Sequence, residues 1–232
     1  MNSDIVITSD STTDLSPELK ERYGIEICPL GVTLGGKTYI DGVDITPDDI
    51  YAHHDKTGEL PKTSATNVGE CLDFFKKFTE SGKTVIHFTI SSDMSSTYAN
   101  ACLAAEELEN VYVINTENLS TGGGLLTVAA AQMRDDGLAA EEIVEKTKAL
   151  VPCVDASFVI DSLEYLYKGG RCSALAMFGA NLLRLKPCIQ VKNGKMDVAK
   201  KYRGKYDEVL KQYIREKVTD YSDIDLERVF IT

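Results

Sequence analysis

Four hydroxyl-rich segments hold the residue types that could do chemistry. Residues 9–14 read SDSTTD, 91–97 read SSDMSST, 115–121 read NTENLST before three glycines, and 61–64 read PKTS. The first three follow apolar runs with the composition of strands, and open α/β sheets bind ligands at the carboxyl ends of their strands. These segments are rich in Ser and Thr and poor in general bases. Asp10 and Asp14 have the strand-end placement of phosphotransferase aspartates, but they stand four apart with no lysine paired to them. Gly122, Gly123 and Gly124 lack the following Lys-Ser/Thr of a P-loop, which leaves close helix packing as their use. No serine lies in a G-x-S-x-G elbow, and no histidine is an evident base. Each segment alone reads as capping and turn chemistry. Together they suggest a hydroxyl-lined pocket.

Metal and thiol chemistry find little support. His53 and His54 are adjacent but lack a nearby ligand set, and His87 inside VIHFTI reads as a strand residue. Cys28, Cys71, Cys102, Cys153, Cys172 and Cys188 include no C-x-x-C pair, so neither a zinc ribbon nor a thioredoxin-like site is signalled. Scattered thiols behind an N-terminus without a secretory signal fit a reducing cytoplasm. We expect no cofactor and no metal.

The elements that must position the hydroxyls alternate β-rich runs with helical patterns, which implies a parallel sheet wrapped by helices. Residues 5–7 start the first strand. Ser16-Pro17-Glu18 opens a helix that Gly24 ends. Residues 25–34 form a second extended run. Asn67 with Glu70 starts a helix carrying Val68, Cys71, Leu72, Phe75 and Phe78 on one face. A strand over 85–90, a helix over 95–108, a strand over 111–114, a Gly-rich helix and a helix over 141–150 follow. Near Pro152 the pattern restarts, with a strand over 157–160, a short helix over 161–167 and a loop at 168–171. Asn193-Gly194 between two extended runs marks a hairpin, and residues 206–218 form an amphipathic helix. The chain closes on residues 229–232, which read as a strand entering the core, so further C-terminal elements are expected beyond it.

With 232 residues, 43% of them hydrophobic and 26% charged, the chain suits one large or two small globular domains. The boundary is expected near residue 154, between an N-terminal α/β domain (1–154) and a smaller, truncated C-terminal α/β domain (155–232). No apolar stretch is long enough to cross a bilayer. The net charge of −11 argues against a general nucleic-acid binder. It divides into −14 over residues 1–150 and +3 over 151–232, and residues 168–205 hold ten basic groups against Asp197 alone. That basic face is either solvated surface or a docking surface.

Six stretches in order along the chain, SDSTTDL, LPKTSATNVGE, ISSDMSSTYANA, VINTENLSTGGG, DSLEYLYKGGRCSA and NLLRLKPCIQVKNGK, resemble the DegV family of bacterial fatty-acid-binding proteins. The resemblance implies two α/β domains with a long acyl chain buried between them. It also implies a non-catalytic, cytoplasmic carrier that presents its ligand to a separate ATP-dependent kinase subunit, which makes an acyl phosphate for phospholipid synthesis. Carried over by motif, the fatty-acid carboxylate contacts fall on Thr63 and Ser95. Arg171 of KGGR falls on the arginine of the pocket entrance and kinase docking. Two departures stand out. The family usually has Gly after the binding serine, where this chain has Ser96. The family also continues past residues 229–232 with a histidine that lies near the carboxylate.

The residues are compatible with that carry-over. Ser95 opens a helix, whose free N–H groups and dipole favour an anion. Two neutral hydroxyls hold a carboxylate without a strong buried ion pair. An acyl tail gains about 0.8 kcal/mol per buried methylene, so the carboxyl group needs orientation more than affinity. Rival readings are a free-standing phosphotransferase using Asp10 and Asp14, and a sensory module for another amphiphile. For Arg171, the rival to docking is an ion pair inside its own domain with Asp161 or Glu164.

Overall fold

The computed structural model describes residues 4–172, 185–219, 224–225 and 228–231. Residues 173–184, which include Arg184 of the basic stretch, lie outside that set. Two compact units divide the chain, Met1–Val154 and Asp155–Thr232.

The first unit is built on a parallel four-stranded sheet. Its strands are β1 (Ile5–Asp10), β2 (Ile25–Cys28), β6 (Thr84–Thr89) and β7 (Val111–Asn115), in the order β2-β1-β6-β7. Every residue of β1 is buried, as a parallel strand covered on both faces requires. The helices are α1 (Pro17–Tyr23), α2 (Pro47–Thr57), α3 (Val68–Thr79), α4 (Thr97–Ala105), α5 (Ser120–Asp135) and α6 (Ala140–Leu150). The α3 N-terminus is a capping box: Asn67 accepts the Glu70 N–H while Glu70 accepts the Asn67 N–H. Its apolar face puts Cys71, Phe74 and Phe75 against Cys28, Val85, Ala101 and Ala104. α5 packs with α1, α6 and β1.

Residues 25–34 are not one strand. After β2, Pro29 has no N–H for a ladder, and the Leu30 N–H is taken by Ser11 Oγ at 3.1 Å. The chain then enters a second sheet, antiparallel, of β3 (Gly31–Leu34), β4 (Lys37–Ile40) and β5 (Lys62–Ser64), in the order β4-β3-β5.

The second unit holds an antiparallel sheet ordered β10-β9-β8, from β8 (Ala156–Val159), β9 (Lys186–Lys192) and β10 (Lys195–Tyr202), with α7 (Glu164–Gly169) and α8 (Tyr206–Thr219). Asn193 and Gly194 both have positive φ, 49° and 76°, as the two-residue hairpin turn between β9 and β10 demands. Val209 of α8 packs with Val159, Cys188 and Tyr202. The short helix starts at Glu164 rather than at 161. Residues 229–231 form no strand: no described strand pairs with them, and Ile231 is 82% exposed. An apolar run with no neighbour to complete its ladder has no reason to extend as a strand.

Among the described residues, no helix is long and apolar enough to cross a membrane.

Candidate functional site

Three of the four hydroxyl segments, 9–14, 91–97 and 115–121, meet at the carboxyl ends of β1, β6 and β7. Asp10, the last residue of β1, is fully buried. Its Oδ1 accepts the Thr12 N–H at 3.1 Å and the Thr12 hydroxyl at 2.6 Å, and its Oδ2 accepts the Ile90 N–H at 2.7 Å. Burial raises its pKa, opposed by those hydrogen bonds. The carboxylate therefore caps the 3-10 turn Ser11–Thr13 and ties the end of β1 to the exit of β6. Asp14, in the left-handed region at φ 49°, accepts the Ser120 hydroxyl at 2.6 Å, and burial raises its pKa as well. Two acids committed in this way hold loops together; Asp10 is closed to any substrate arriving from solvent.

The loop that Asp10 anchors at Ile90 leads directly to Ser95. Ser91 N–H donates to Asn118 O at 2.9 Å, and Ser92 N–H to Asn115 Oδ1 at 3.2 Å. Asn115 Nδ2 returns a bond to Ser92 Oγ at 2.9 Å, and Thr116 Oγ1 donates to Thr89 O at 2.8 Å. The two strand ends are thus laced together, and the Ser95 N–H closes a turn on Ser91 O at 3.2 Å. Ser95 is half-buried, and its Oγ accepts the N–H of Thr97, the first residue of α4, at 3.2 Å. α4 thus begins at Thr97 rather than at 95, and this bond takes up one of the N–H groups that a helix start leaves without an intrahelical partner. Ser96 sits at φ −78°, ψ 0°, which any L-residue adopts, so the position has no need of glycine.

Thr63 lies in β5, opposite Val32 of β3. It is exposed, and its hydroxyl bonds to none of the described residues. Three residues on, Thr66 O accepts Asn100 Nδ2 of α4 at 2.8 Å, and Thr66 Oγ1 donates to Pro29 O at 3.4 Å. The segment of Thr63 and the helix opened by the Ser95 turn are therefore fastened to each other. Sequence reasoning missed Thr66, Asn100 and Thr97 as parts of this arrangement. Only the Ser-x-Thr spacing of an ST-turn signalled any of it.

The glycine run packs as expected at one position. A Cβ on Gly124 would stand 2.8 Å from the Thr13 carbonyl oxygen and 3.0 Å from Leu15, whereas a Cβ on Gly123 would meet nothing closer than 3.5 Å. α5 therefore sits against the 3-10 turn through Gly124. His87, fully buried on β6, shares a 2.8 Å hydrogen bond with Thr8 Oγ1 and meets the Phe75 ring edge-on with centroids 5.0 Å apart. It is a core residue of the sheet. Among the described residues, no group of three His, Cys, Asp or Glu side chains is placed to hold a metal.

Arg171 belongs to the second unit. It follows α7, whose end is made by Gly170 in the left-handed region at φ 72°. Its Nη1 donates to Gly169 O at 2.7 Å, and no acid among the described residues pairs with it. Asp161 and Glu164 are engaged by Lys186 and by Lys168, the latter at 2.7 Å. Lys200 reaches Glu216 at 2.8 Å and, with Tyr202 and Gln212, holds its carboxyl down at about 2. Lys168, Lys186 and Lys200 are thus compensated within the second unit, which narrows the free basic face.

A family model described as "Uncharacterised protein, DegV family" matches residues 4–227. A DegV domain-containing protein of Clostridium acetobutylicum is 36% identical over 202 residues, which are 86% of this chain and 72% of the relative. Among solved structures, a fatty-acid-binding DegV family protein from Thermus thermophilus superposes with a TM-score of 0.82 at 30% identity, over 91% of this chain and 77% of that one. A stearic-acid-binding protein from Eubacterium ventriosum gives 0.80 at 33% identity, over 94% and 78%. The chain belongs to the DegV family.

Proposed function

We propose that this protein binds a long-chain fatty acid and orients its carboxylate with Thr63 and Ser95. The observation that carries this reading is the Ser95 turn itself. It is a half-buried hydroxyl at the head of α4, laced to two strand ends, in a chain that superposes on fatty-acid-binding structures over more than nine-tenths of its length. The helix N-terminus favours an anion there. The Thr63 hydroxyl, uncommitted among the described residues, supplies a second donor on the segment that Asn100 fastens to α4. An acyl tail contributes about 0.8 kcal/mol per buried methylene, so the tail supplies most of the affinity while the hydroxyls add a smaller share and set orientation.

The bound carboxylate is then presented to a separate ATP-dependent kinase, which converts it to an acyl phosphate. In this scheme the protein is a cytoplasmic carrier and not itself an enzyme, and Arg171 contributes to the kinase-docking face. Among the described residues its side chain bonds to a carbonyl two residues away, a local contact that does not brace one element against another. Arg171→Ala should slow acyl-phosphate formation and leave both the thermal melt and fatty-acid binding at parental values. A large fall in the melt with kinase association unchanged would remove the docking role.

Solvent extraction of the purified protein followed by mass spectrometry tests the ligand. A long-chain fatty acid near one equivalent is expected. Bound nucleotide in its place would favour a phosphotransferase, and a different amphiphile would favour a sensory module.

A further inference from the structure

The Ser95–Thr97 pair carries an asymmetry of burial that fixes the direction of its hydrogen bond. Thr97 is 1% exposed, whereas Ser95 is half-buried. Their hydroxyl oxygens lie 2.8 Å apart, and Ser95 Oγ also accepts the Thr97 N–H at 3.2 Å. A hydroxyl has one proton and two lone pairs. The buried Thr97 hydroxyl has one hydrogen-bond partner among the described residues, and that partner is Ser95 Oγ. If Ser95 donated to it, the Thr97 proton would be stranded away from water, which native structures avoid. Thr97 is therefore the donor. Ser95 Oγ then accepts twice from one residue, through the N–H and the O–H of Thr97. Both lone pairs are committed, and its own proton is left over on a half-buried residue. An oxygen that accepts two hydrogen bonds is polarised into a better donor.

We propose that Thr97 is a positioning residue that locks Ser95 as a hydrogen-bond donor toward an ionised carboxylate, a group that can only accept. The inference rests on the fatty-acid reading above and adds what makes Ser95 selective for the charged headgroup. Without Thr97 Oγ1, Ser95 regains a free lone pair and rotates between donor and acceptor roles.

A double-mutant cycle on the full chain tests this, with palmitate labelled with carbon-13 at the carboxyl as the probe. Thr97→Val preserves shape and the backbone N–H. It should weaken palmitate binding on the order of tenfold and raise the pH at which the bound carboxyl titrates. Thr97→Ser, which keeps the hydroxyl, should match the parent in both. In a Ser95→Ala background the valine change should add nothing, because its whole effect passes through Ser95. Equal losses in both backgrounds would mark Thr97 as merely structural and overturn the proposal, as would parental behaviour of Thr97→Val. If the valine variant does not fold, Thr97→Ala enters the same cycle with the same expectations. A parent that fails to bind palmitate would instead overturn the proposed function, so the two failures are distinguishable.

Discussion

His87 occupies the middle of β6 with one ring nitrogen bonded to Thr8 and the buried Nε2 without a partner among the described residues. Burial alone pulls its pKa down to about 3 from an ordinary 6.5. A depressed folded-state pKa means that the unfolded chain binds the proton more readily. The stability tied to neutral His87 is therefore complete above pH 6.5 and is lost as pH falls toward 3. Between pH 7 and 5 the loss should be about 2 kcal/mol. Denaturant unfolding at pH 7 and pH 5, on the parent and on His87→Gln, isolates this contribution from that of the carboxylates. The prediction fails if both proteins lose stability equally. Asp10 teaches a related lesson about single residues. An acid at a strand end has the sequence placement of a catalytic group, but three hydrogen bonds and complete burial give it a structural task. Type and spacing were legible; burial was not, because it depends on what β6 and α5 bring alongside.

Among the elements, α5 shows most clearly how packing discriminates between neighbours of identical sequence. Gly123 and Gly124 are indistinguishable on paper, yet only Gly124 faces the Thr13 carbonyl closely enough to exclude a methyl group. Gly124→Ala should destabilise the fold by about 1–3 kcal/mol through overpacking. Gly123→Ala should be neutral or stabilising by up to about 1 kcal/mol, since alanine favours the helix and its Cβ finds ordinary contact distances. Thermal melts of the two variants check this, and similar melting temperatures would contradict it. Elements with strong local signals were readable in the sequence: the Asn67–Glu70 capping box, the Asn193-Gly194 hairpin and the amphipathic face of α8. What escaped was non-local. The split at Pro29 and the turn before α4 involve side chains from outside those elements, Ser11 and Ser95, and the sheet of β3, β4 and β5 forms by pairing that brings residues 62–64 back beside residues 31–33.

At the scale of the whole molecule, the charge separation seen in the sequence runs between the two units, acidic in the first and basic in the second. Within the second unit, part of that basicity is spent on local ion pairs, and among the described residues Arg171 joins none of them. Under the proposed function, Thr63, Ser95 and Thr97 in the first unit would serve the carboxylate, and Arg171 in the second would serve the kinase partner. The most direct test is a calorimetric titration of the delipidated protein with a long-chain fatty acid, run in parallel on Thr63→Val, Ser95→Ala and Arg171→Ala. The parent and Arg171→Ala should bind one equivalent with equal affinity. Each hydroxyl variant should lose about 1.5–3 kcal/mol, roughly ten- to more than a hundredfold in Kd. A parent that does not take up the fatty acid, or hydroxyl variants that bind it as tightly as the parent, would contradict the account.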